Sequence, residues 1–169
     1  LLRHLNRILA PQQSGTVFLK DRPVEQYRQR EIAALVSYVA QTPVRIRHFT
    51  VRSYLLLGRY PFLGAFATPG RDDEAAVDRA MEQCGITGLR ARDMSTLSGG
   101  ELQKVYIAAG CAQGGELMLL DEPATFLDPR HQHEVFELLG RIHRQGTAIC
   151  TVSHDINTAV LTASRILAL

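Results

Sequence analysis

The feature that most constrains the fold is an alternation of short, largely apolar runs with amphipathic segments in the second half of the chain. Residues 117–120 and 147–152 form two such runs, and residues 131–143 between them carry apolar side chains at helical spacing. A run that is apolar on both faces is typical of a strand buried inside a parallel sheet. The alternation therefore predicts an α/β protein, with a mainly parallel sheet covered by helices on both faces.

The first half of the chain shows the same alternation, interrupted by a helical stretch. Residues 16–20 and 36–39 are predicted as strands, with a helix over residues 26–35 between them. From about residue 49 to 96 the spacing is helical, so we interpret about 49–96 as a helical subdomain inserted in the α/β core. Within it, the acidic run 72–74 favours a helix start, because negative charge suits the positive end of the helix dipole.

Length, charge and cysteine content exclude little. The chain has 169 residues, which fits one domain, and its net charge of +2, with both signs mixed, argues neither for nor against nucleic acid. We interpret Cys84, Cys111 and Cys150 as small buried apolar residues, because an odd, scattered set does not form a disulfide framework or a zinc site. No segment approaches the roughly 20 apolar residues that a membrane-spanning helix needs.

Two carboxylates follow the apolar run at 117–120. Asp121 and Glu122 lie where the strand is predicted to end, which is the edge of an open α/β sheet that receives ligands. One carboxylate can hold a magnesium ion directly or through water, and the other can orient or deprotonate a water molecule. Taken alone, the pattern fits an acidic loop after a strand equally well.

The segment Ser98-Gly99-Gly100-Glu101 predicts a helix start that can bind an anion. Ser98 is a favoured N-cap residue. The two glycines let the backbone approach a ligand closely, and the exposed N–H groups with the helix dipole favour phosphate. A simple helix cap is the alternative.

Three further polar residues are candidates at predicted strand ends or turns. Gln41 follows the strand at 36–39 and could contact magnesium or water through its amide oxygen. His154 follows the strand at 147–152 and could donate a hydrogen bond to a phosphate, although a lone histidine here is more often structural. Asp128 could equally be a turn residue or a helix cap.

Together these residues resemble the ATP-binding subunits of ABC transporters. Gln41 matches the Q-loop, residues 97–101 the signature motif, residues 117–122 Walker B, Asp128 the D-loop and His154 the switch histidine. The resemblance covers essentially the whole chain in the expected order and spacing. It implies a P-loop NTPase-like fold, in which residues 1–169 form a partial ABC ATPase domain and the helical subdomain is inserted in a RecA-like core.

The resemblance also implies roles and cofactors, which are ATP and Mg²⁺. Asp121 and Gln41 would bind the magnesium ion. Glu122 would polarise the attacking water, and His154 would contact the γ-phosphate and sense its hydrolysis. The remaining motif residues would contact nucleotide; they are Ser98, Gly99, Gly100, Glu101 and Asp128. The signature residues would contact the ATP that is held by the second copy of the protein in a homodimer.

Within this family the chain is most similar to ATPases of iron–siderophore, haem and cobalamin importers. Residues 57–61 and 126–132 carry that similarity, whereas Phe62 stands where many have histidine and Ala124 where threonine is usual. The resemblance implies integral-membrane permease partners, an indirect link to an external substrate-binding protein, and a peripheral location on the cytoplasmic face of the cell membrane. Residues 49–64 would either grip the permease or form a helical packing face.

The Walker A pattern G-x-x-x-x-G-K-[ST] does not occur in the sequence. Residues 1–5 resemble the helix that follows this loop in the family, so we expect the chain to begin immediately after it. Because the loop supplies much of the grip on the phosphates, we expect the chain by itself to bind ATP poorly and to hydrolyse it negligibly.

Two other functions remain open from the sequence. The first is an ABC ATPase outside transport, in DNA repair or iron–sulfur assembly, with a basic patch for nucleic acid formed by Arg45, Arg47, His48 and Arg52. We do not expect a nucleic-acid partner, because these charges fit a solvated face better. The second is a non-enzymatic regulatory subunit, against which the presence of Glu122 and His154 argues.

Overall fold

The computed structural model describes residues 16–41, 46–64, 67–155 and 160–167, so the leading segment 1–5 lies outside the described residues. In order along the chain, its helices and strands are β1 (Phe18–Leu19), β2 (Arg22–Pro23), α1 (Gln29–Leu35), β3 (Val36–Val39), α2 (Val51–Leu57), α3 (Arg71–Gln83), α4 (Gly99–Gln113), β4 (Leu117–Asp121), α5 (Pro129–Arg144) and β5 (Ala148–Val152). A helix follows each of the three longer strands or precedes it, and three helices stand in succession between β3 and β4. Short 3-10 turns cover Val24–Gln26, Tyr60–Phe62, Thr87–Leu89 and Met94–Thr96.

The main sheet is parallel, as the sequence predicts. Its strand order is β3-β4-β5, with β4 in the centre. Val36 lies opposite Leu117, and Leu117 lies opposite Ala148, so the three strands start in register and run in one direction. The α/β prediction is therefore confirmed, and all three strands end at the same edge.

Side chains from both faces of β4 are buried in separate apolar cores. Met118 and Leu120 join the larger core, which also contains residues of the helices α2 to α5. Leu117 and Leu119 point the other way and pack in a smaller core with Ile32 of α1. This alternation follows from the period of two in a strand, and it places helices on both faces of the sheet.

The segment between β3 and α4 is helical, and its two ends lie side by side. The N–H of Val51 donates to the carbonyl of Arg92 at 2.9 Å, and the N–H of Met94 donates to Phe49 at 2.9 Å. The buried side chains Leu55 and Val77 belong to the same core as α4. The interpretation of about 49–96 as an inserted subdomain stays a prediction.

Two elements are shorter than the sequence predicts. The strand predicted at 16–20 is only β1, because Lys20 and Asp21 take positive φ angles of 50° and 60° and turn the chain back into β2. The helix predicted at 26–35 begins at Gln29, because Arg28 is extended and its N–H donates to the Glu31 carboxylate at 2.6 Å. Both differences come from local turns that apolar spacing does not report.

Gly58 is expected to be needed for the close approach of α2 to α4. A Cβ built on it would lie 2.7 Å from the Ala109 carbonyl oxygen, which is backbone and cannot rotate away, whereas Gly88 has no neighbour within 4 Å. Gly58→Ala should therefore lower the free energy of unfolding by about 1–3 kcal/mol. Gly88→Ala should change it by less than about 0.5 kcal/mol. Urea unfolding of both variants measures the difference, and equal values would show that the crowding is relieved at no cost.

Candidate functional site

The shared edge of the sheet brings four of the predicted residues together. Asp121 ends β4 and Glu122 follows it, while Gln41 and His154 each lie two residues beyond their own strand, β3 and β5. Gln41 and His154 both contact Glu122. The parallel topology is the cause, because parallel strands deliver their carboxyl ends to one edge.

The carboxylate of Glu122 is the centre of this cluster. Its Oε2 accepts hydrogen bonds from Gln41 Nε2 at 2.9 Å and from the Thr125 hydroxyl at 2.8 Å. His154 Nδ1 lies 3.2 Å from the same oxygen. In the part of the chain that the structure describes, every hydrogen bond to this carboxylate ends on Oε2, which leaves Oε1 to accept from a water molecule.

The donors around Glu122 favour its ionised form. The Thr125 hydroxyl contributes most to lowering the pKa of Glu122. Burial opposes it as the next largest effect, and His154 and Gln41 lower the pKa further. The side chain is 23% exposed, so water can reach it. At neutral pH it is a carboxylate that can orient a water molecule and accept its proton.

Asp121 is oriented from the neighbouring strand. The hydroxyl of Tyr38, on β3, donates to Asp121 Oδ2 at 3.2 Å. The described residues contain no group of three His, Cys, Asp or Glu that could hold a metal by themselves. Magnesium does not require one, since it commonly takes one or two carboxylates and completes its shell with water and phosphate oxygens. The oxygens of Asp121 and Gln41 fit that requirement, the amide nitrogen of Gln41 being turned to Glu122.

Ser98 and Glu101 cap α4 reciprocally. The N–H of Glu101 donates to Ser98 Oγ at 3.3 Å, and the N–H of Ser98 donates to Glu101 Oε2 at 2.9 Å. This second bond is the main reason why the pKa of Glu101 lies below its usual value. The predicted cap is therefore present, and Glu101 belongs to the cap rather than to the cluster around Glu122.

Asp128 caps α5 in the way the sequence allows. Its Oδ1 accepts from the N–H groups of Arg130 and His131, both at 3.1 Å. Its Oδ2 lies 2.6 Å from His131 Nδ1, and this contact is the largest cause of a lowered pKa for Asp128. His131 in turn packs on Gly100. The candidate residues thus form two groups, one around Glu122 and one that joins 98–101 to Asp128.

Sequence reasoning missed Thr125, Tyr38 and His131. Thr125 lies three residues after Glu122 in a turn, and this spacing brings the Thr125 side chain back to the Glu122 carboxylate. Tyr38 is the one residue of β3 with a polar tip long enough to reach the strand end. His131 lies three residues after Asp128 at a helix start, a spacing at which side chains meet.

The hydroxyl of Thr125 is expected to control the ionisation of Glu122. In Thr125→Val the pKa of Glu122 should rise towards its usual value, because the largest contribution to the lowering is removed. The pKa of Glu122 is lower in the folded protein than in the unfolded chain. Its ionisation therefore stabilises the fold at pH values above the unfolded-state pKa, and this stabilisation is lost as the pH falls through the folded-state pKa. Carbon-13 NMR titration of labelled glutamates measures the shift. Thr87→Val, at a distant exposed turn, is the control, and an unchanged Glu122 titration in Thr125→Val would contradict the assignment.

Known proteins resemble the chain in both sequence and fold. Residues 1–125 match the family model described as ABC transporter. The ferric enterobactin transport ATP-binding protein FepC of Escherichia coli is 39% identical over 170 residues, covering 100% of this chain and 62% of that protein. The hemin import ATP-binding protein HmuV of Bradyrhizobium diazoefficiens is 37% identical over 177 residues, covering 100% and 63%.

The solved structure of cbiO1 from Clostridium perfringens, part of the ABC transporter complex cbiONQ, superposes with a TM-score of 0.82 at 25% identity, covering 95% of this chain and 64% of that one. The chain spans less than two thirds of the length of each of these proteins. The motif residues, the parallel sheet and these matches agree, and the chain belongs to the ABC transporter family.

Proposed function

We propose that the protein carrying this chain is the ATP-binding and ATP-hydrolysing subunit of an ABC importer, coupling hydrolysis to uptake of an iron chelate. The observation that carries the proposal is the Glu122 carboxylate, which is ionised, partly exposed and held by three side chains at the ligand-binding edge of the sheet. This is the arrangement that a water-activating base requires.

In this mechanism Glu122 orients a water molecule through Oε1 and accepts its proton. Gln41 and Thr125 hold the carboxylate in one rotamer, and the His154 ring, which follows β5, contacts the same oxygen. Asp121 and Gln41 would hold a magnesium ion, which supplies charge neutralisation for the phosphate oxygens of ATP. Tyr38 keeps Asp121 directed to that edge.

The second group of residues supports a homodimer. Ser98, Gly99, Gly100 and Glu101 form a capped helix start, where backbone N–H groups and the helix dipole favour phosphate. This group is joined to Asp128 through His131, rather than to Glu122. We infer that it contacts ATP held by a second copy of the protein, so that each site takes residues from two subunits.

The turn Tyr60–Phe62 is the proposed docking surface for the permease. Tyr60 is 77% exposed, whereas Val51 and Leu55 of the preceding helix are fully buried, so the stretch 49–64 divides into a packing helix and an exposed turn. Arg30 fixes the turn by donating to the carbonyls of Pro61 and Leu63 at 2.5 and 3.0 Å. A cavity of about 320 Å³ is lined by Leu57 and Gly58, which precede this turn in the chain, and by Tyr38, Tyr54, Tyr106 and Gln113.

A permease partner would hold the protein at the cytoplasmic face of the cell membrane. None of the helices formed by the described residues has the length and apolar character to cross a bilayer. The relatives named above are ATP-binding proteins of ferric enterobactin transport and of hemin import. An iron–siderophore or haem is therefore the proposed cargo, and cobalamin is the third member of the same class. The permease and its external binding protein would select the cargo.

The nucleic-acid alternative has less support than the importer. Arg52 of the suggested basic patch is paired with Glu74, its Nε donating to Oε2 at 3.0 Å and its Nη2 contacting Oε1. Arg45 lies outside the described residues. Because Glu74 already neutralises the charge of Arg52, this side chain gains little from phosphate contacts. The relatives reported above are transport proteins.

Glu122→Gln tests the proposed hydrolysis in the full-length protein. The amide cannot accept the proton of water, so kcat for ATP should fall by about 10²–10⁴-fold while ATP affinity is retained. Phosphate release and equilibrium nucleotide binding measure the two effects. Glu82→Gln, at an exposed site on α3, is the matched control and should leave kcat unchanged. Retained hydrolysis in Glu122→Gln would overturn the assignment of the base.

Tyr60→Glu tests the docking surface. A charge on the exposed turn should weaken association, so the full-length protein should no longer co-purify with a multi-span permease from detergent-solubilised membranes. Uptake of radiolabelled iron–siderophore or haem by the source cells should fall with it. Phe18→Glu, at another exposed aromatic on β1, should alter neither. Equal effects of the two variants would argue against a specific surface at Tyr60.

A further inference from the structure

The two glycines at the start of α4 face the turn that precedes α5 in the same chain. A Cβ built on Gly100 would lie 2.5 Å from Cδ2 of His131, closer than real side chains come, whereas one on Gly99 would lie 3.6 Å from Leu127 in ordinary contact. Gly100 is buried. The imidazole of His131 therefore occupies the space that a side chain at position 100 would need.

His131 cannot easily move out of that space, because its other edge is held. Nδ1 lies 2.6 Å from Asp128 Oδ2. The pKa of Asp128 is below its usual value, chiefly because of this contact. An ionised carboxylate only accepts hydrogen bonds, so the tautomer with the proton on Nδ1 is the one that this contact favours. Asp128 is itself fixed by the N–H groups of Arg130 and His131.

The surrounding contacts make the same region stiff. Gln132 Nε2 donates to the carbonyls of Ala124 and Leu127 at 3.2 and 3.0 Å, which ties the turn to α5. One helical turn further along, Lys104 of α4 pairs with Glu134 of α5 at 2.7 Å. The starts of α4 and α5 are thus joined by a ring packed on a glycine and by an ion pair.

We propose that His131 is a positioning residue that locks the Asp128 turn to the glycine pair of α4, so that the two segments move as one body. The inference rests on the proposed function, in which both segments contact nucleotide across a dimer. It gives Gly100 a role besides approach to phosphate: the residue must be glycine because His131 lies on it. A shift of Asp128 is then passed to the Gly100 backbone through one imidazole.

A double-mutant cycle on thermal stability tests the packing. Gly100→Ala should lower Tm by about 4 °C in the native background, since the new methyl group must displace His131 from Asp128. In the His131→Ala background the same change should lower Tm by less than about 1 °C, because the space is empty. Gly99→Ala is the matched control and should cost the same in both backgrounds. An equal cost of Gly100→Ala in both backgrounds would overturn the inference.

Steady-state ATP hydrolysis by the full-length protein tests the positioning role. His131→Ala should lower kcat by about tenfold, because it misplaces groups that contact nucleotide. KM should change little, because binding of ATP by its own subunit does not involve this ring. His131→Asn, whose amide can donate to Asp128, should restore part of kcat. His133→Ala, at an exposed site on α5 that pairs only with Glu137 among the described residues, should have no effect. An unchanged kcat in His131→Ala would overturn the positioning role.

The two ideas fail in different ways. Absence of ATP hydrolysis in the unmutated full-length protein would remove the proposed function, while the Tm cycle would still decide whether His131 occupies the side-chain space of Gly100. Normal hydrolysis together with an additive Tm cycle would leave the proposed function standing and remove the role of His131.

Discussion

Burial of β4 is the constraint on which the rest of the structure depends. Its apolar residues fill both cores, so the strand can lie only in the middle of the sheet, with β3 and β5 on either side. The first polar residue, Asp121, is then forced to the edge where the strand leaves the core. The contacts of Gln41 and His154 with Glu122 follow from this, because β3 and β5 deliver both side chains to the same edge.

The sequence was sufficient wherever one local signal decided the outcome. An uninterrupted apolar run predicted β4, and cap chemistry predicted the start of α4 at Ser98, whereas Asp128 could be a turn residue or a helix cap and the structure shows it as the cap of α5. Convergence of Gln41, Asp121, Glu122 and His154 could be expected because parallel strands end together. The order of the motifs identified the family, since each of them alone had a simple structural alternative.

Contacts that depend on the path of a turn could not be predicted in the same way. Thr125 reaches Glu122, and His131 reaches Gly100, only because the chain reverses between β4 and α5. The same limit applies to β1, where two residues with positive φ end a strand that its composition would extend. Ala124 lacks the hydroxyl that is usual in the family, yet Thr125 supplies one to the carboxylate from the next position.

The backbone at Glu122 explains how the reversal serves the site. Its φ of 47° is left-handed, a conformation that costs a residue with a Cβ about 1–2 kcal/mol. The N–H of Glu122 donates to the Val152 carbonyl at 2.9 Å. Its carboxylate accepts from Gln41 and Thr125 and lies beside His154, and these contacts act against that cost. Without the turn, the carboxylate would continue along β4 and away from Gln41. Glycine at position 122 would relieve the backbone strain but would remove the carboxylate. The residue that supplies the carboxylate must therefore also adopt the strained backbone conformation.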